Sequence, residues 1–172
     1  ATQNPIEYEG TFPLTEAQLD RFIMKISVGY PSAKEEQEIL RRRRERRTDA
    51  QELTAVTDAD GLQRMRAAIE EVYVDPDLEA YIVAIISETR RNRKVSVGSS
   101  PRGTLALLKL SRAWAALHGR AFVLPDDVKT FILPALSHRL ILEPDLWTDR
   151  AAANDVLSEI SRQVPVPVLR GV

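Results

Sequence analysis

The chain has 172 residues, 44% hydrophobic and 28% charged, enough for one packed domain or one domain with part of another. A net charge of −1 argues against a chain built wholly around nucleic acid, and the lack of cysteine excludes a disulfide framework and thiolate metal sites. The N-terminus has no apolar signal core, and the longest purely apolar run, Tyr81 to Ile86, is far short of a membrane span. A cytoplasmic protein is expected.

Residues 1 to 14 read as a strand end and a loop, punctuated by Gly10 and Pro13. Thr15 and Gln18 form a capping box, so a short helix should run to about Phe22. Phe22 to Val28 reads as a mostly buried strand, broken by Gly29-Tyr30-Pro31. Ser32 and Glu35 form a second capping box and open a helix to about Arg47. A turn around Thr57 to Gly61 precedes a helix near Leu62 to Val72. Asp75-Pro76 fits N-cap and N1 of a helix to about Arg93, with Leu78, Tyr81, Ile82, Ile85 and Ile86 at helical spacing.

Val95 to Val97 can form a short strand. Ser100-Pro101 opens a helix with a wide apolar face (Leu105, Leu107, Leu108, Leu110, Trp114, Ala115, Leu117) and Gly119 at C′. A helix from about 125 to 137 follows, then a short strand His138 to Leu142, then a last helix from about Arg150 to Gln163. Residue 1 is Ala and the only methionines are Met24 and Met65, so the chain reads as the C-terminal portion of a longer protein.

Three segments stand out chemically. The first pairs Asn4-Pro5 with Leu19-Asp20-Arg21-Phe22, separated by a stretch that includes EGTFPLTEAQ. Alone, each half is an ordinary turn or helix end; only the joint spacing is specific. The second is Gly98-Ser99-Ser100-Pro101-Arg102-Gly103. It puts Arg102 in the first helical turn, where the helix dipole disfavours a cation. An anion held between the guanidinium and the free amides would explain it; a solvated arginine is the plain alternative. The third is Arg120 to Val128 followed by Ala135-Leu136-Ser137-His138-Arg139-Leu140, which looks structural.

His118 and His138 lack partners at metal-ligand spacing. The runs Arg41 to Arg47 and Arg90 to Lys94 could touch phosphates, but nearby glutamates dilute the first and no aromatics are interleaved for base stacking. A solvated face or a subunit contact accounts for them better.

Taken together, the three segments resemble the MoxR family of AAA+ ATPases: sensor 1, the arginine finger, and a helical lid with sensor 2. Thr15 departs from the family's usual Pro, and Gly103 from its usual Ala. The resemblance implies a mainly α fold: residues 1–30 as the C-terminal remnant of an α/β core, and 31–172 as a helical lid with a short β pair. It implies that Asn4 positions the attacking water, that Arg21 reaches a neighbouring subunit's phosphate, and that Arg102 contacts ATP phosphate as sensor 2, in cis or in trans.

The parent would use ATP and Mg²⁺ in a ring, expected to be a hexamer. It would remodel or mature a client protein, with a von Willebrand factor A-domain protein as one candidate and nucleic acid not expected as a partner. No GxxxxGK[ST] loop and no strand ending in Asp-Glu occur, so the chain alone is expected to bind no nucleotide and to hydrolyse none. A helical protein-interaction module and a nucleic-acid-binding helical domain are the rival readings.

Overall fold

The computed structural model describes residues 1–2, 14–149 and 151–168. Seven helices are found among them: α1 Glu16–Leu19, α2 Ala33–Arg46, α3 Ala59–Glu70, α4 Pro76–Arg91, α5 Pro101–Leu117, α6 Pro125–Leu136 and α7 Ala152–Gln163. Two strands, β1 Val95–Val97 and β2 Ile141–Leu142, pair antiparallel with Val95 opposite Leu142. The mainly α expectation with one short β pair holds.

The chain divides into two compact units. In one, residues 1–25 and 69–172, α4 to α7 enclose the core. α4 buries Leu78, Tyr81, Ile82, Ile85 and Ile86, the positions its 3.6-residue period marks. α7 buries Ala152, Val156, Leu157 and Ile160 on one stripe. α5 buries a narrower face than its leucines suggest: Ala106, Leu107, Leu110 and Ala115 are inside, whereas Leu105 and Leu117 are exposed. A parallel bridge between Tyr73 and Phe122 joins the segments that lead into α4 and α6.

The second unit, residues 26–68, contains α2 and most of α3. Ser32 caps α2, its hydroxyl accepting from the Glu35 amide, as the capping box requires. α2 buries no residue. Its arginine run is partly paired: Arg41 bonds Glu38 (2.7 Å) and Glu45 (2.8 Å), Arg42 bonds Glu38 (2.6 Å), and Arg43 bonds Asp49 beyond the helix (2.5 Å). These guanidiniums hold the Glu38 carboxyl down at about 2. The run is a mostly solvated face whose first three arginines are paired with carboxylates. α3 starts three residues earlier than expected because the Asp58 carboxylate accepts from the Gly61 amide (2.6 Å), drawing the presumed turn into the helix.

Two expected strands are corrected. Phe22 to Val28 forms no strand. A strand needs a ladder partner, and among the described residues no strand pairs with it; Ile26 and Val28 are 68% and 94% exposed. His138 to Leu142 is a strand only at Ile141–Leu142, because Ser137–Arg139 continues α6 as a 3₁₀ turn that swings Arg139 toward residues 20–23.

Gly103 lies where α5 meets α4 and α6. A Cβ there would fall 2.1 Å from Ser99 Oγ and 3.0 Å from Leu136 Cδ2, so Ser99 occupies the space an alanine methyl would need. Gly103→Ala is therefore expected to cost about 1–3 kcal/mol through overpacking, despite the better helix propensity of alanine. Ser99→Ala should recover most of that loss in the double variant. Urea denaturation of the four proteins in the cycle checks it; a stabilised single variant would contradict it.

Candidate functional site

α1 is the one-turn helix that Thr15 starts: the Gln18 side chain accepts from the Thr15 amide (2.9 Å), closing the expected capping box. α5 opens as expected, with Ser100 Oγ accepting from the Arg102 amide (3.2 Å) and Pro101 at N1. The residues before α5 are tied to α4: the Ser99 amide donates to Thr89 Oγ1 (3.0 Å), and Arg90 Nε donates to the Ser99 carbonyl (2.9 Å).

These two helix ends meet. The end of α1, the first turns of α5 and the end of α6 surround an open cleft of about 240 Å³, lined by Asp20, Arg21, Ile23, Arg102, Leu105, Ala106, Lys109 and Arg139. Arg21 and Arg102, far apart in sequence, thus face one space. Asn4 lies outside the described residues.

Asp20 is the hub. Its carboxylate accepts from Ser100 Oγ (3.0 Å), Arg102 Nη1 (3.1 Å) and Arg139 Nε (3.2 Å). Asp20 sits at the C-terminal end of a helix and Arg102 at the N-terminal end of another, each where its own helix dipole disfavours it. Paired with each other, the two misplaced charges offset. α1 is a single turn, so its share of the effect is small.

Arg139, whose side chain is 2% exposed, donates to the carbonyl oxygens of Asp20 (3.2 Å), Phe22 (2.6 Å) and Ile23 (3.1 Å) as well as to Ala135. Burial works against its charge, and Asp20 opposes that effect. The Lys25 amide donates to the Pro134 carbonyl (2.8 Å), extending the same attachment.

His138 lies beside this network. Its Nε2 stands 3.0 Å from the Phe22 carbonyl oxygen and 3.0 Å from Arg139 Nη1, while its buried Nδ1 has no partner. Burial lowers its pKa, with the Phe22 carbonyl opposing. A histidine with a depressed folded-state pKa contributes stability that is present above its unfolded value of about 6.5 and lost as pH falls through the folded value. The melting temperature should therefore drop on acidification below pH ~6.5, and His138→Gln should flatten that part of the profile. An unchanged profile in the variant would count against it.

Sequence reasoning found Arg21 and Arg102 but passed over Asp20, Lys109 and the positioning contacts of Arg139. Asp20 carries a readable signal, an acid at a helix C-terminus. Lys109 follows Arg102 by seven residues, two turns along the same face of α5. Nothing in sequence marks Arg139 as the residue that holds segment 20–23.

The cleft suits an anion of the phosphate class. Four cationic side chains line it against one carboxylate, and the Arg21 side chain has no hydrogen-bond partner among the described residues. It does not suit a divalent cation: among the described residues no group of three or more His, Asp or Glu is placed to hold a metal. No described helix is long and apolar enough to cross a membrane.

The chain is similar to known proteins of the AAA class. The model of the AAA lid domain matches residues 87–160, and that of the ATPase family associated with various cellular activities (AAA) matches residues 1–24. Protein YeaC of Bacillus subtilis is 41% identical over 99% of this chain and 53% of its own length. Chaperone MoxR1 of Mycobacterium tuberculosis is 36% identical over 100% and 47%. The crystal structure of a protein described as an ATPase from Cytophaga hutchinsonii superposes with a TM-score of 0.87 at 30% identity, over 96% of this chain and 53% of that one. The chain spans about half the length of the curated relatives it matches. With family models matching the AAA lid domain and the AAA segment before it, and with relatives that bear the MoxR name, the chain belongs to the MoxR family of AAA+ ATPases.

Proposed function

We propose that this chain supplies the arginine finger and sensor 2 of an ATPase that works as a ring and remodels client proteins. The observation that carries the proposal is that Arg21 and Arg102 line one cleft in one compact unit. A phosphate group entering it meets both guanidiniums. Arg is the right residue for this task, because its planar fork donates two parallel hydrogen bonds and stays charged.

Arg21 stabilises charge that develops on the transferred phosphoryl group, and Arg102 grips phosphate from the lid side. Asn4 orients the attacking water. Magnesium and the phosphate cradle call on residues that this chain does not contain. The chain by itself should turn over no ATP. The name of the relative Chaperone MoxR1 supports the client-remodelling part of the proposal, and a von Willebrand factor A-domain protein is one candidate client.

The shared cleft also favours one side of the cis-or-trans question. A finger serves a neighbour's nucleotide, so a sensor 2 beside it serves the same nucleotide. The test mixes full-length Arg102→Ala subunits with subunits defective in the phosphate-binding loop. Both parents are inactive alone. Action in trans restores ATPase activity in the mixture; a mixture as inactive as its parents would defeat the proposal.

A further inference from the structure

The bonds around Arg21 are unequal in a way that suggests a division of labour. Its side chain lines the cleft and is exposed, so what the fold fixes is the backbone from which it reaches. That backbone is held on both sides by one guanidinium: Arg139 donates to the carbonyls of Asp20, Phe22 and Ile23. Arg139 is itself fixed by the Asp20 carboxylate through Nε (3.2 Å). The same carboxylate accepts from Arg102 Nη1 (3.1 Å) and Ser100 Oγ (3.0 Å).

The two ion pairs of Asp20 differ in burial. The Arg102 side chain is 53% exposed and that of Arg139 is 2% exposed. An ion pair open to water is weak and exchanges its partner readily. A buried pair whose remaining donors are taken up by carbonyls does not. Carboxylate and phosphate oxygens offer a guanidinium similar acceptor geometry.

We infer that Asp20 is the positioning residue of the pair Arg21 and Arg102. Through Arg139 it fixes the backbone that aims Arg21. Directly, it holds Arg102 at the cleft until a phosphate group takes the place of the carboxylate. Arg102 moves and Arg139 stays. The inference rests on the proposed roles of Arg21 and Arg102, and it adds a residue that touches no substrate.

The test uses the full-length enzyme with Asp20→Asn. Its kcat should fall about 10- to 100-fold, because small misplacements of a group acting on the transition state cost rates of that order. Its Kd for ATP should stay equal or become tighter, because the carboxylate that competes for Arg102 has lost its charge. Against the residual rate of Arg21→Ala, adding Asp20→Asn should change kcat less than twofold, since both changes remove one function.

A kcat within twofold of wild type, an ATP Kd that weakens in step with kcat, or fully additive losses would each overturn the inference. If Asp20→Asn fails to fold, Asp20→Glu carries the test. It keeps the charge and moves the carboxylate by one methylene; kcat should fall at least fivefold at an unchanged melting temperature, and wild-type kcat would overturn the inference. An inactive Arg21→Ala beside a fully active Asp20→Asn removes only this inference, whereas a fully active Arg21→Ala removes the roles on which it rests.

Discussion

Arg21→Ala in the full-length enzyme is expected to lower ATP turnover by about 10³- to 10⁵-fold while leaving ATP binding largely intact, the range seen when an arginine finger is removed from related phosphoryl-transfer sites. The side chain is exposed and unpaired among the described residues, so its loss leaves no buried partner behind and should not disturb folding. What disappears is charge stabilisation that matters only as the phosphoryl group departs, which lowers kcat and spares ground-state binding. Arg21→Lys should recover little, because an ammonium keeps the charge but not the planar fork. Single-turnover hydrolysis beside equilibrium ATP binding decides it. Near-wild-type turnover in Arg21→Ala would sink the assignment of the finger.

Leu136→Ala should cost about 2–5 kcal/mol of folding stability. Leu136 is fully buried in the last turn of α6, with its Cδ2 facing Gly103 of α5. Gly103 has no side chain to move into the space left, so the cavity persists and the upper part of the range applies. A single domain is stable by only about 5–15 kcal/mol, so the loss is a large fraction of the total. Because α6 leads straight into the turn that carries Arg139, the variant should also loosen segment 20–23. Urea unfolding gives the first quantity and hydrogen exchange at the amides of residues 22–25 the second. A change below 1 kcal/mol would show that the site collapses around the missing atoms.

The helices were readable because their signals are local. Thr15, Ser32, Asp75 and Ser100 precede their helices with a side chain that can bond an amide two or three residues on, and the structure places helix starts at all four. The apolar period of α4 marked its buried face for the same reason. Where the outcome depended on a partner distant in sequence, local signals failed. Phe22 to Val28 has the composition of a strand, but a strand is made by its neighbour, and among the described residues no strand pairs with it. Leu105 has the character of a core residue, yet α5 turns it into the cleft beside Arg102. Asn4 was as legible as Arg21 but falls outside the described residues.

The amino-acid sequence by itself determined the helices, their caps and the two arginines whose spacing points to phosphate. Those rest on interactions within a few residues or on motif order along the chain. Only the tertiary structure decided that Arg21 and Arg102 share a cleft, that Asp20 joins them, and that Arg139 holds the backbone between. Each of these is a contact across more than 80 positions, and charge pairing over such a separation leaves no periodicity to read. It arises when α5 and α6 pack around the core and bring one helix start and one helix end to the same segment of chain.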